Sequence, residues 1–101
     1  MPCIERNGFG AIKAYAASLA YEVAGSLIDE VLLASEADLR HAVYVLLDQE
    51  QLVVEASGAI SIAPLLNGGL DVSGRTVVCV LSGGNVETSL LCQIMNEYRD
   101  A

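Results

Sequence analysis

The sequence predicts an α/β fold: a small open parallel sheet fragment in the order α-β-α-α-β-α, with helices on both faces. Two short apolar runs, Glu30–Ala34 and Thr76–Leu81, have the length and continuous hydrophobicity of strands that are buried on both faces. Helical patterns lie between them, and strands joined through helices pair in parallel with a right-handed crossover. Because two strands make a meagre sheet, we expect this chain to form part of a larger open sheet.

The first half of the chain carries two helical patterns around the first strand. Between Phe9 and Asp29, apolar residues recur at steps of three and four, which predicts an amphipathic helix. Ser35 is placed to cap the next helix, with Asp38 completing an approximate capping box, and this helix should end near Gln51. Its apolar stripe consists of Leu39, Ala42, Val43, Leu46 and Leu47.

The second half is less regular. Residues 59 to 66 have helical spacing, and the Asn67–Gly69 turn is a good helix stop, but Pro64 should kink such a helix. A last helix is predicted from Asn85 onward, with Glu87 near its N-terminus, where a negative charge is favourable. Its apolar side consists of Leu90, Leu91, Ile94, Met95 and Tyr98.

Length and charge exclude several classes of protein. At 101 residues the chain forms one domain, residues 1–101. Thirteen acidic residues against five scattered basic ones argue against a nucleic-acid partner. The apolar stretch from Ala11 to Ile28 is too polar for a membrane span, and no signal peptide is recognisable, so a soluble cytoplasmic protein without a membrane partner is expected. The only histidine, His41, lies off its helix's apolar stripe and has no neighbouring ligands, so no metal site is predicted.

The segment from Ser82 to Asn85 directly follows the second predicted strand. Ligands bind at the carboxyl ends of strands in open α/β sheets, and glycines let a backbone approach a ligand closely. Gly83 and Gly84 equally suit a tight strand-to-helix turn without any ligand. The segment lacks the glycine spacing of a nucleophile elbow and of a dinucleotide fingerprint. From the residues alone, both a binding loop and a simple turn stay open.

Three pieces of sequence, in this order, are "LIDEVLLASEADLRHAV", "LLDQEQLVVEASGA" and "VVCVLSGGNVE". Together they resemble the C-terminal part of the threonine/serine dehydratase family, pyridoxal-phosphate enzymes of the tryptophan-synthase-β fold type. The resemblance covers residues 19–95, whereas residues 1–18 do not match. It implies pyridoxal phosphate as the cofactor.

The resemblance also implies roles for individual residues. Ser82 would hydrogen-bond the pyridine nitrogen of the cofactor, and a neutral hydroxyl there suits elimination of a β-hydroxyl better than transamination. Gly83 and Gly84 would let the backbone pass close to the ring, and Asn85 would fix the loop. Glu55, the glutamate of "VVEASGA", would lie near the ring, although a surface carboxylate at a helix start is an equal alternative.

Other parts of the family's site are not found in this sequence. The only lysine, Lys13, lies in "GFGAIKAYA", which does not match the family's Schiff-base lysine motif, and the asparagine motif and tetraglycine phosphate loop are missing. No catalytic residue is therefore assigned. We expect a truncated or remodelled dehydratase-like domain that is not an enzyme by itself and forms a homodimer or larger homo-oligomer. The alternatives are residual ammonia-lyase activity, alone or with a partner chain, and a small regulatory or interaction module.

Overall fold

A computed structural model describes residues 2–6, 26–27 and 29–99. In chain order these residues form strands β1 (Pro2–Arg6) and β2 (Glu30–Ala34), helix α1 (Glu36–Glu50), a 3-10 helix (Ala56–Ile62), and helices α2 (Ala63–Leu66) and α3 (Thr88–Arg99). The described part is thus a mixture of helices and strands, as predicted. The helix predicted between Phe9 and Asp29, with Lys13, falls almost entirely outside the described residues.

The two strands form a parallel pair. Pro2 is the register partner of Glu30, and Arg6 is the partner of Ala34. The bounds of β2 match the prediction, but its partner was not predicted, because β1 contains a proline and two charged residues in five positions. Ala34 is buried against the helices, whereas Val31 and Leu33, on the other face of β2, are 47% and 64% exposed. Within the described part, helices therefore cover one face of β2 rather than both.

Helix α1 forms as the sequence predicts. The Ser35 hydroxyl accepts the backbone N–H of Asp38, and the Asp38 carboxylate accepts the backbone N–H of Ser35, so the capping box is complete. The helix ends at Gln51, which adopts a left-handed conformation with a φ of 54°. The buried residues of the predicted stripe are Leu39, Ala42, Val43 and Leu46.

Pro64 is accommodated without a kink in a long helix. The 3-10 helix ends at Ile62, and Pro64 lies within the first two positions of α2. A backbone N–H at that position has no partner within the helix, so its loss through proline costs little. Ala59 and Ala63, on the inner side of this region, are completely buried.

The second predicted strand, Thr76–Leu81, is not paired, so the α-β-α-α-β-α order is corrected for the described residues. Burial on both faces was the basis of that prediction, yet Val78 is 87% and Val80 75% exposed. A strand requires a neighbouring strand, and the described part of the chain places none beside this segment. The apolar, valine-rich composition of this segment favours a strand, but the segment has no strand partner in the described part of the chain.

Helix α3 closes the core by packing on α1. Ile94 is 1% exposed and packs in the same cluster as Ala42 and Val43 of α1. The Tyr98 ring stacks between those of His41 and Tyr44, at centroid distances of 5.3 and 5.5 Å. His41 is therefore half-buried in an aromatic stack, rather than a free surface residue.

Two polar contacts join the same pair of helices. The Tyr98 hydroxyl donates to the carbonyl of Ala37 at 3.2 Å, and Arg40 forms an ion pair with Glu97. This ion pair raises the pKa of Arg40 and lowers the pKa of Glu97, because each charge is stabilised by hydrogen bonding to the other. No helix among the described residues is long and apolar enough to cross a membrane.

Candidate functional site

The two motifs that were predicted to share a site lie side by side in the structure. The backbone N–H of Glu55 donates to the carbonyl of Gly83 at 3.0 Å. In the reverse direction, the backbone N–H of Ser82 donates to the carbonyl of Gly58 at 3.3 Å. The "VVEASGA" and "SGGN" segments are thus joined backbone to backbone, although 24 positions separate Gly58 from Ser82 in the chain.

A second set of contacts continues this pairing toward the N-terminus of the later segment. The Ser61 hydroxyl donates to the carbonyl of Val80 at 2.9 Å, and the Cys79 thiol donates to the carbonyl of Ser61 at 3.7 Å. Ser61 therefore fastens the segment that leads into Ser82 to the end of the 3-10 helix. Ser61 was not selected as a candidate site residue, because no motif in the sequence contains it.

Gly58 makes the closest approach between the two segments. A Cβ atom placed on Gly58 would lie 1.4 Å from the carbonyl oxygen of Ser82, so no side chain fits at this position. The backbone of Ser82 is consequently positioned by the bare backbone of Gly58. Sequence reasoning missed this role, because Gly58 precedes the stretch with helical spacing and its contact with Ser82 comes from a segment far along the chain.

Gly83 and Gly84 are required for different reasons. Gly83 has a φ of 75°, and a Cβ atom there would lie 1.9 Å from Oε1 of Glu55. Gly84 would bring its Cβ atom within 3.1 Å of the carbonyl oxygen of Val53. The half-buried Glu55 carboxylate therefore lies directly against the backbone of Gly83, one residue from Ser82.

Ser82 and Asn85 are exposed to solvent. Neither side chain forms a hydrogen bond with any part of the chain that the structure describes. The Ser82 hydroxyl is thus available as a donor or an acceptor for a ligand. The geometry brings together Ser82, Gly83 and Glu55, while Asn85 follows on the exposed side of the loop.

The helix after this loop begins at Thr88, three residues later than predicted. The backbone carbonyl of Glu87 accepts the N–H of Leu91, so Glu87 does flank the helix N-terminus. The free N–H groups of that N-terminus are separated from the two glycines by residues 85–87. A glycine loop that leads directly into a helix can hold an anion at the helix N-terminus, and this separation argues against such a site at Gly83 and Gly84.

An open cleft of about 740 Å³ lies elsewhere, and neither Ser82 nor Glu55 lines it. It is lined by Ile60, Ser61 and Pro64, by Asp29 and Glu30 at the start of β2, and by residues 70–72 and 75–80. Asp71 at its rim accepts the backbone N–H of Ser73, which lowers the pKa of the Asp71 carboxyl. The cleft and the Ser82 loop are therefore distinct features that follow one another along the chain, because the cleft is lined as far as Val80 and the loop begins at Ser82.

Among residues 2–6, 26–27 and 29–99, no cluster of three or more His, Cys, Asp or Glu side chains is arranged to hold a metal ion. Of the three cysteines, Cys79 is half-buried and Cys92 is exposed, and both are free thiols.

No protein-family model matches this chain. Among curated proteins, the catabolic L-threonine dehydratase TdcB of Escherichia coli K12 is 37% identical over 79 residues, which are 76% of this chain and 24% of that protein. The L-threonine ammonia-lyase of Thermotoga maritima is 35% identical over 79 residues, covering 78% of this chain and 20% of its relative. That of Geobacter sulfurreducens is 40% identical over 76 residues, covering 74% and 19%.

The chain thus spans about a fifth to a quarter of the length of the curated relatives it matches. The two segments that meet at Gly58 and Ser82 are the ones whose motifs indicated the same family. Over about three quarters of its length, this chain is therefore the counterpart of one segment of the longer threonine dehydratases, with the size of a fragment of such a protein.

Proposed function

We propose that this chain is a threonine dehydratase-like segment that keeps the pyridine-nitrogen end of a pyridoxal-phosphate site, is not catalytic by itself, and self-associates. One observation carries the proposal: Gly58 and Ser82 interlock so closely that the loop bearing the Ser82 hydroxyl has a defined position. The names of the relatives, all threonine dehydratases or ammonia-lyases, support the choice of cofactor class.

The residues present fit one end of the cofactor. Ser82 offers an exposed hydroxyl, and the adjacent Gly83 and Gly84 have no side chains to obstruct a flat ring. Pyridoxal phosphate, when bound, supplies an electron sink for reactions at an amino acid's α-carbon. Ser82 would orient the ring by hydrogen-bonding its nitrogen without fixing a proton there, and Asn85 would help to hold the loop.

Glu55 has a supporting role in this proposal. Its carboxylate lies against Gly83, and its backbone N–H holds the carbonyl of that same residue. Glu55 would therefore hold the loop in place and contribute negative charge beside the ring. The role of Glu55 is to position Ser82, and we assign it no proton-transfer step.

The absence of catalysis by the chain alone is proposed from its sequence. A covalent bond to the cofactor needs a lysine amine that is activated by its surroundings. The single lysine, Lys13, stands in a sequence context unlike the family's lysine motif. A partner chain that provides the missing groups would convert this segment into part of an enzyme.

The test is an absorbance titration with pyridoxal phosphate, followed by borohydride reduction and mass analysis. We expect weak saturable binding of pyridoxal phosphate that does not label the chain covalently after reduction. Ser82→Ala should reduce this binding. The control Ser89→Ala, at an exposed position of α3, should leave it unchanged. Failure of Ser82→Ala to change binding would overturn the proposed site. Stable labelling that disappears in Lys13→Ala would instead establish residual cofactor chemistry in the chain itself.

A further inference from the structure

Residues 76–80, here called the free edge, belong to no strand or helix and have no strand partner in the described part of the chain. Among the described residues, no backbone-to-backbone hydrogen bond involves any of these five positions, and only the carbonyl of Val80 accepts a side-chain donor, from Ser61. Extended backbone with unpaired N–H and C=O groups is a template for pairing with another strand. Five uncharged residues, of which three are valines, also give this segment a high preference for sheet.

The side chains of the same segment are exposed to an unusual degree. Val77 is 41%, Val78 87% and Val80 75% exposed. The alternate residue Cys79 points inward, toward Ser61. One side of the segment is therefore anchored to the 3-10 helix, and the other side offers valines that gain by being covered.

The free edge borders the open cleft, and the start of β2 borders it too. In the described part of the chain β2 pairs only with β1, so its second edge also has no strand partner. Residues 76–80 and the first residue of β2, Glu30, both line the cleft, so an extended segment seated there would meet the unpaired backbone of residues 76–80.

The charges around the cleft restrict what such a segment contains. Three carboxylates, those of Asp29, Glu30 and Asp71, and one guanidinium, that of Arg75, line it. An apolar extended segment with a basic residue at one end complements these charges, whereas an acidic one is repelled. Within this sequence, Arg75–Leu81 has that composition: arginine first, then six residues without charge.

We infer that the edge formed by residues 76–80 is the self-association surface of this protein, and that its occupant is the same segment of a second copy. This inference rests on the self-association in the proposed function and names the surface responsible. A twofold axis pairs two identical edges antiparallel, so that each copy gives and receives the same contacts. The five paired residues carry no charge themselves, so no like charges lie directly opposite one another along the paired edge.

The experiment is sedimentation analysis of the full chain over a wide range of concentrations, with hydrogen exchange measured at both ends of that range. We expect a dimer at high concentration, with slower exchange at the amides of residues 77–80 and unchanged exchange in the turn at residues 67–74.

Two variants locate the surface. Val78→Lys should weaken the dimer by about tenfold or more, because a charge would be buried at the paired edge. Leu52→Lys adds the same charge at a residue that is 45% exposed and does not line the cleft, and should leave the dimer unchanged. Val80→Lys repeats the test on the same side of the segment if Val78→Lys fails to fold.

The experiment distinguishes association through residues 76–80 from association through another surface and from no association at all. A dimer that Val78→Lys and Val80→Lys leave intact, without protection of residues 77–80, would overturn this surface while self-association stands. A chain that stays monomeric at every concentration would overturn both. The titration with pyridoxal phosphate measures binding at Ser82 in a separate experiment.

Discussion

Replacing Gly58 by alanine tests whether the two motif segments depend on each other. The added methyl group would lie 1.4 Å from the carbonyl oxygen of Ser82 and 3.1 Å from Cγ1 of Val54. Backbone atoms cannot rotate away as a flexible side chain can, so one of the two segments has to move. The movement would break the hydrogen bond from Ser82 to Gly58 and strain the one from Glu55 to Gly83.

The expected cost follows from these two effects. Overpacking a well-packed region costs about 1–3 kcal/mol. Two weakened backbone hydrogen bonds add about 0.5–1.5 kcal/mol each. We therefore expect Gly58→Ala to lower the free energy of unfolding by roughly 3 kcal/mol, a large share of the ~5–15 kcal/mol typical of small domains.

The assay is urea unfolding of wild type, Gly58→Ala and the control Gly74→Ala. Gly74 has a φ of 73° and open space around the position of a Cβ atom, so alanine there costs only backbone strain, about 1 kcal/mol. Equal slopes against urea would show that the unfolded states are comparable. A Gly58→Ala protein as stable as Gly74→Ala, or more stable, would refute the interlocking of Gly58 and Ser82.

Three further predictions concern the helical core. Leu39→Ala, at a completely buried residue, should lower the free energy of unfolding by about 2–5 kcal/mol in urea titrations, and a loss below ~1 kcal/mol would contradict its place in the core. Ser35→Ala should cost about 1 kcal/mol. The backbone N–H of Ser35 lowers the pKa of Asp38 in the folded protein below its ordinary value of 3.8. The stability that ionised Asp38 contributes is therefore complete above pH 3.8 and is lost as the pH falls through the lowered pKa of the folded state. Urea midpoints measured between about pH 5 and pH 2 should show this loss. Arg40→Met should lower the melting temperature slightly, because it removes the ion pair with Glu97. The side chains of Arg40 and Glu97 are 25% and 40% exposed, so salt screens the pair and the decrease should be smaller at high salt. A decrease that does not depend on salt would contradict an ion-pair origin.

Elements specified by local signals were predictable from sequence. The capping box at Ser35 and the apolar stripe of α1 depend on residues within one helix, and both are confirmed. The strand predicted at Thr76–Leu81 does not form among the described residues, because a strand depends on a neighbouring strand that local sequence does not specify. Strand β1 was not predicted, because its local sequence contains a proline and two charged residues. It forms nevertheless, because β2 provides a neighbouring strand.

Residues of the candidate site were predictable only where they belong to a motif of the resembled family. Ser82, Gly83 and Glu55 come together in the structure, and Glu55 and Gly83 share a hydrogen bond that no spacing argument could supply. Gly58 and Ser61 were missed because their importance comes from contact across the two segments rather than from their own chemistry. The three-residue delay in the start of α3 changed the interpretation of the loop, since it moved the helix N-terminus away from Gly84.

The proposed interface and the proposed site occupy the two ends of one segment, which leads to a last prediction. Val80 ends the free edge, and Ser82 follows two residues later. Pairing of residues 76–80 with a second copy would order the backbone that carries the Ser82 hydroxyl, so part of the entropy cost of ligand binding would already have been met. Linkage then requires that the ligand strengthen the dimer by the same factor as dimerisation strengthens ligand binding.

Val78→Lys, which leaves Ser82 and Glu55 unchanged, should therefore weaken pyridoxal-phosphate binding, and saturating cofactor should lower the dimer dissociation constant of the wild type. The coupling expected is roughly 5-fold or more, the lower end of typical values. Titrations at protein concentrations below and above the dimer midpoint measure it directly, with Leu52→Lys as the control. Equal affinity in monomer and dimer would show that the edge and the Ser82 loop act independently, even if both proposals are correct.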